Sequence, residues 1–232
     1  WSSLPEIIVA VPEGKRLETN WRKIAIREVG KNTGNVSEQI DLFLASRNDW
    51  LFSPCNTGPV LQKNQIVTIH DTSVYSIPQA YSRAFVAKYK FIFRIFAKSL
   101  PLLLTDSNFS KNEIVRILHA DPEKVDVIHP GVDHILRIKP DFSIIGKHGL
   151  VRGAFVFAVA SRSPHKNFAL IENLSKLPDC RDTSFVFAGG EFNKIFRSSQ
   201  QDAEQNVTSL GYITDEELRE LYDTCGLFVF TS

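Results

Sequence analysis

Short runs of apolar, β-branched-rich residues recur along the chain: Ile7–Val11, Trp50–Phe52, Ile66–Ile69, Leu102–Thr105, Val125–Ile128, Phe155–Ala160, Phe185–Ala188, Val207–Leu210 and Leu227–Phe230. They are apolar at consecutive positions rather than alternating, the pattern of strands buried on both faces of a parallel sheet. Between them, apolar positions return every three or four residues over Val36–Ala45, Tyr81–Lys98, Asn112–Leu118, Phe168–Leu177 and Asp215–Asp223. Alternation of the two periods predicts βαβ units and an α/β class. Ser110 with Glu113, and Thr214 with Glu217, have the spacing of capping boxes and predict helix starts. The segment from Asp133 to Gly153 mixes Pro140, Gly146, Gly149 and Gly153 with charged residues. It is read as the connection between two α/β halves, 1–140 and 141–232.

Composition narrows the function classes. The 232 residues are 43% hydrophobic and 23% charged, enough for a packed core and unlike a disordered tail. A net charge of +1 argues against a general nucleic-acid binder, so any phosphate recognition must be local. Cys55, Cys180 and Cys225 form no CxxC pair, which fits a reducing compartment. No run of about 18 apolar residues predicts a membrane span. The chain begins with Trp1, contains no methionine and stops on an apolar run, so it is read as an excerpt trimmed at both ends.

Candidate chemistry gathers at strand ends, where open α/β sheets bind ligands. "SRSPHKN" places Arg162 and Lys166 between a strand and a helix start, whose free N–H groups favour an anion. Two solvated loop cations are the alternative, and the turn alone favours it. Gly189 and Gly190 in "FVFAGG" let the backbone turn sharply and approach a ligand. Gly211, Tyr212 and Ile213 follow the next strand. In the first half, "IVTIHDTS" ends a strand at His70–Asp71, "LLLTDSNFS" brings Thr105, Ser107 and Ser110 to the next edge, and "VIHPGVD" brings Gly131.

The ordered set "IVTIHD", "LLLTDSNFSKNEIVRIL", "EKVDVIHPGVD", "SRSPHKN", "FVFAGG" and "LGYITDEELRELYDTCGLFVFTS" resembles the retaining, family 4 (group 1) nucleotide-sugar glycosyltransferases. The resemblance spans about Ile66 to Ser232. It implies a GT-B fold, two Rossmann-like parallel-sheet halves, both incomplete here. The N-terminal half would be the acceptor side and the C-terminal half the donor-binding side. It implies that Arg162 and Lys166 hold the donor diphosphate, and that Gly189, Gly190, Tyr212 and Ile213 line the nucleotide. His70 matches the catalytic histidine near the transferred sugar, and Gly131 the glycine before the interdomain hinge. The family pattern also has a glycine-rich loop after its first N-terminal strand, with no counterpart found before Ile7, and two glutamates seven residues apart just after the strand that here ends in "FVFTS". Neither stretch lies in the sequence, so the excerpt alone is expected to be inactive.

The implied function is transfer of a sugar from a nucleotide-diphosphate donor to a glycan or lipid-linked acceptor, in cell-surface polysaccharide or glycolipid synthesis. No cofactor, metal or nucleic acid is called for. The expected location is the cytoplasm, peripherally at the inner face of the membrane. Lys90, Arg94 and Lys98 form an i, i+4 row beside an apolar stripe of Phe85, Tyr89, Ile92 and Phe96. An ordinary helix packed on the sheet explains it; contact with anionic lipid is the functional alternative. A non-catalytic or degenerate nucleotide-sugar-binding module remains open. A dinucleotide oxidoreductase is disfavoured because no GxGxxG follows a predicted strand.

Overall fold

Parallel strands account for every sheet pairing in the computed structural model, which describes residues 6–15, 24–159, 167–189 and 206–231. The chain divides into two compact units, Trp1–Pro130 and Gly131–Ser232.

In the first unit, β3 (Leu51–Ser53), β4 (Gln65–Thr68), β5 (Leu102–Thr105) and β6 (Val125–Val127) lie side by side in chain order. A separate parallel pair joins β1 (Ile7–Val11) to β2 (Ile24–Glu28). The β2 strand is not anticipated by the apolar pattern. Ala25, Ile26, Arg27 and Glu28 are all exposed, so burial left little imprint on "IAIRE". Val67, Ile69 and Leu103 from the sheet pack with Ile92, Phe93 and Phe96 of the Arg83–Ser99 helix and with Ile114 of the Asn108–Leu118 helix.

The Arg83–Ser99 helix starts at Ser82, whose Oγ accepts from the Phe85 amide at 3.3 Å. The first of the two predicted starts is shifted. Ser107, not Ser110, caps the Asn108–Leu118 helix by accepting from the Ser110 amide at 3.1 Å. Glu113 turns instead to Arg116, in a two-pronged pair at 2.9 and 2.8 Å. The predicted helix at Val36–Ala45 runs from Gly34 to Ser46 and widens into a π-helical stretch over Ser37–Leu42.

In the second unit the strand order is β10 (Leu227–Phe228), β7 (Phe155–Val159), β8 (Ser184–Ala188) and β9 (Val207–Gly211). Side chains alternate across this sheet. Phe155, Phe157, Val186 and Ala188 form one core with Ile144 and Leu221, while Ala158, Phe185 and Phe187 form another with Ile171 of the Phe168–Ser175 helix. Both faces are therefore covered, which is why the strands read as unbroken apolar runs. The stretch expected to be a mere connection carries two short helices, His134–Arg137 and Ser143–Lys147, and buries Ile144 completely. The Asp215–Thr224 helix opens with the predicted capping box: the Thr214 hydroxyl accepts from the Glu217 amide and the Glu217 carboxylate from the Thr214 amide.

Candidate functional site

Sheet register brings four residues together at the C-terminal edge of the first unit's sheet. Ser53 pairs with Val67 and Thr68 with Leu104. Carried just past the strands, the same offsets set Asn56 opposite His70, and His70 opposite Asp106. The contacts follow: the His70 amide donates to Asn56 Oδ1 at 2.9 Å, and His70 Nδ1 lies 2.7 Å from Asp106 Oδ2. The offset is 14 residues for the first pair and 36 for the second. From β6, the Ile128 amide continues the ladder to the Thr105 carbonyl, and His129 Nδ1 donates to the Asp106 carbonyl at 2.9 Å.

Hydrogen-bond chemistry fixes proton positions here. A carboxylate and a carbonyl only accept, so both imidazoles carry a proton on Nδ1. His70 is 38% exposed and Asp106 34%, so the ring is held yet reachable.

The loop after β3 that carries Asn56 is itself built in. Asn56 takes a left-handed backbone (φ 57°) and its amide donates to the Thr68 carbonyl at 2.8 Å. The π-helical stretch fastens the following residues. Gln39 donates to the Gly58 carbonyl and accepts from the Val60 amide, and Glu38 accepts from the Thr57 hydroxyl.

Beside this cluster is a cavity of about 120 Å³, with Asn56, Asp71 and Ser73 on one side and Tyr81, Phe85 and Tyr89 on another. The aromatic wall is a stack that starts at Tyr81, just ahead of the Arg83–Ser99 helix, and continues onto that helix: ring centroids lie 5.2 Å apart for Tyr81–Phe85 and 4.3 Å for Phe85–Tyr89. Burial, reinforced by Glu38, raises the Tyr89 pKa, so this phenol stays a neutral donor. Ser73 and Tyr81 share a hydroxyl–hydroxyl bond of 2.9 Å.

Of the expected second-unit residues, Arg162, Lys166 and Gly190 lie outside the described residues. Gly189 ends β8 with φ 108°, a conformation that needs glycine, and its amide donates to the Gly211 carbonyl at 2.8 Å. The two turns at this edge are thus joined. Tyr212 projects from the second turn, 79% exposed, whereas Ile213 packs against the core around Phe155 and Leu221. Gly131 is the first residue of the second unit; a Cβ there would meet nothing.

The basic row on the Arg83–Ser99 helix is partly engaged within the unit. Lys90 Nζ lies 4.9 Å and the Arg94 guanidinium 6.0 Å from the Tyr75 ring centroid. Lys98 and Phe91 are exposed, the latter by 61%. Among the described residues, no helix is long and apolar enough to cross a membrane, and no group of three His, Cys, Asp or Glu is placed to hold a metal.

Residues 9–135, over half of the chain, match the sequence model of Glycosyltransferase Family 4. The chain belongs to Glycosyltransferase Family 4. That region contains the whole Asn56–His70–Asp106–His129 cluster. The chain is 27% identical over 180 residues to the O-antigen chain mannosyltransferase RfbU of Salmonella typhimurium, covering 76% of this chain and 48% of that protein. It is 23% identical over 177 residues to O-antigen chain mannosyltransferase B of Escherichia coli, covering 72% and 46%. The chain spans about half the length of these curated relatives. Its fold is similar to the crystal structure of Anabaena HepE in complex with UDP-glucose, with a TM-score of 0.61 at 16% identity, covering 90% of this chain and 61% of that one. The two parallel-sheet α/β units are those of the GT-B glycosyltransferase architecture.

Proposed function

We propose that this chain belongs to a retaining glycosyltransferase that moves a sugar from a nucleotide-diphosphate donor to a glycan acceptor of a cell-surface polysaccharide. The observation that carries the reading is the Family 4 match across residues 9–135, which encloses His70 at a sheet's C-terminal edge with its ring held by Asp106. The O-antigen mannosyltransferases among its relatives support a polysaccharide acceptor. The UDP-glucose bound by HepE supports a nucleotide-sugar donor.

Breaking the sugar–phosphate bond builds negative charge on the departing diphosphate and positive charge on the sugar ring. On this reading Arg162 and Lys166 stabilise the first, Arg by bidentate contact and Lys as a compact charge. Gly189 and Tyr212 stand at the turns that approach the nucleotide. His70 faces the transferred sugar. The cavity beside it suits an acceptor sugar: aromatic rings to cover apolar C–H faces, and Asn56, Asp71 and Ser73 to bond hydroxyls. A lipid-linked acceptor, and work in the cytoplasm at the inner face of the membrane, fit the exposed Phe91, Arg94 and Lys98 of the neighbouring helix.

The test is a titration of UDP, GDP and ADP into the full-length gene product, with and without Arg162→Ala and Lys166→Ala. One nucleotide binds the native protein, and the double variant loses that binding. Each substitution lowers transfer on the order of 10²–10³-fold if it acts as an oxyanion-type donor. Undiminished nucleotide affinity in the double variant overturns the assignment.

A further inference from the structure

We infer that Asp106 is a positioning residue that fixes the tautomer of His70, so that Nε2 meets the substrate as a bare acceptor for a sugar hydroxyl. The hydroxyl part of this inference rests on the glycosyltransferase reading; the tautomer part does not.

Three observations carry it. The first is the 2.7 Å contact between His70 Nδ1 and Asp106 Oδ2. Because the carboxylate can only accept, the Nδ1 proton points at it. In a neutral ring the lone pair is then on Nε2, away from Asp106. A histidine free in water favours the opposite tautomer, with the proton on Nε2, so the carboxylate does chemical selection as well as steering.

The second is that Asp106 is itself fixed. Its carbonyl accepts from His129 Nδ1 at 2.9 Å, and it immediately precedes Ser107, the N-cap of the Asn108–Leu118 helix. The positive end of that helix favours a negative charge at this place.

The third is that His70 is held from the other side. Its amide donates to Asn56 Oδ1, and the Asn56 amide to Thr68. Backbone and ring are both anchored, so little freedom remains except the presentation of Nε2. The side chain is 38% exposed, so the ring is reachable from solvent. Metal-ligating imidazoles are commonly oriented by a carboxylate behind them, and its removal typically costs roughly 10–100-fold in affinity or activity; the same orienting role is inferred here.

The deciding experiment is nitrogen NMR on histidine-labelled full-length protein, at a pH well above the imidazole range. His70 is assigned by loss of its signals in His70→Ala. The native protein shows a protonated Nδ1 and an unprotonated Nε2 at His70; Asp106→Ala moves the proton to Nε2. A native Nε2–H tautomer, or an unchanged tautomer in Asp106→Ala, overturns the inference.

Release of nucleoside diphosphate from UDP-glucose and from GDP-mannose provides the second readout. Asp106→Ala slows the faster of these reactions roughly 10–100-fold in the native background and has almost no further effect once His70 is alanine. An equal loss in both backgrounds means a merely structural role and overturns positioning. If His70→Ala itself leaves release unchanged, the functional reading of His70 fails, while the tautomer result still stands or falls on the spectrum.

Discussion

Gly226 offers a sharp test of the second unit's packing. A Cβ built at this residue would lie 2.3 Å from the carbonyl oxygen of Gly153 and 3.0 Å from its carbonyl carbon. Ordinary contact begins near 3.4 Å, so Gly226→Ala demands a separation of about 1 Å between backbone segments. Both segments are tied. The Gly153 amide donates to Thr224 at 2.8 Å, the Gly226 amide to Phe155 at 2.9 Å, and the Val229 amide to Phe157 at 2.8 Å. A shift of that size breaks one or two of these bonds, each worth about 1 kcal/mol net. Overpacking of this kind costs about 1–3 kcal/mol in total. Alanine recovers about 0.4–1 kcal/mol by restricting the unfolded chain. The expected net loss is about 1 kcal/mol, a fall of roughly 2–4 °C in the unfolding midpoint for a chain of this size. Gly146 is the control. It lies inside the Ser143–Lys147 helix with no atom within 4 Å of a built Cβ, so Gly146→Ala stabilises by about 0.5–1 kcal/mol. Thermal unfolding by circular dichroism measures both, and hydrogen exchange at the Gly226 and Val229 amides localises the first. Equal midpoints for Gly226→Ala and the native chain would refute the reasoning.

His119 ends the Asn108–Leu118 helix in the left-handed conformation (φ 54°, ψ 38°), which costs a non-glycine residue about 1–2 kcal/mol. His119→Gly loses part of that gain to unfolded-state entropy and stabilises by about 0.5–1 kcal/mol, read as a higher midpoint; a lower midpoint contradicts the capping account. Charge reversal of Lys90, Arg94 and Lys98 to glutamate abolishes sedimentation with vesicles containing phosphatidylserine if that helix meets anionic lipid. Unchanged sedimentation assigns the row to its contacts with Tyr75 instead.

How much of the fold was legible depended on how completely each element is buried. The strands β7 and β8 were readable because their residues fill cores on both faces, Phe155 and Phe157 on one and Phe185 and Phe187 on the other. β2 was not, because exposed strands have no apolar requirement to write into the sequence. Helix starts were legible where the cap is reciprocal, as at Thr214, and misplaced where a neighbouring serine competes, as at Ser107 and Ser110. The spacing of Ser110 and Glu113 meets the capping-box rule, but Glu113 is taken by Arg116. Likewise, glycines and charges between Asp133 and Gly153 suggested a connection, yet one isoleucine, Ile144, ties that segment into the core.

The site was legible one residue at a time and not as a set. His70 stood out because it directly follows an apolar strand. Asp106 and His129 each follow a strand just as closely, and Asn56 lies three residues beyond β3, but nothing local joins them to His70. What joins them is parallel register. The Thr68–Leu104 pairing and the His70–Asp106 contact share one 36-residue offset, as Ser53–Val67 and Asn56–His70 share one of 14. In a parallel sheet every trailing loop leaves from the same edge, so constant offsets turn three separate strand ends into one constellation, which His129 joins from the end of β6 at a separation of 23 residues from Asp106. A one-residue slip between β4 and β5 would turn each following side chain to the opposite face and part His70 from Asp106. The proton on His70 Nδ1 therefore depends on the same apolar packing that sets the register: Val67 and Leu103, both fully buried, hold it from below.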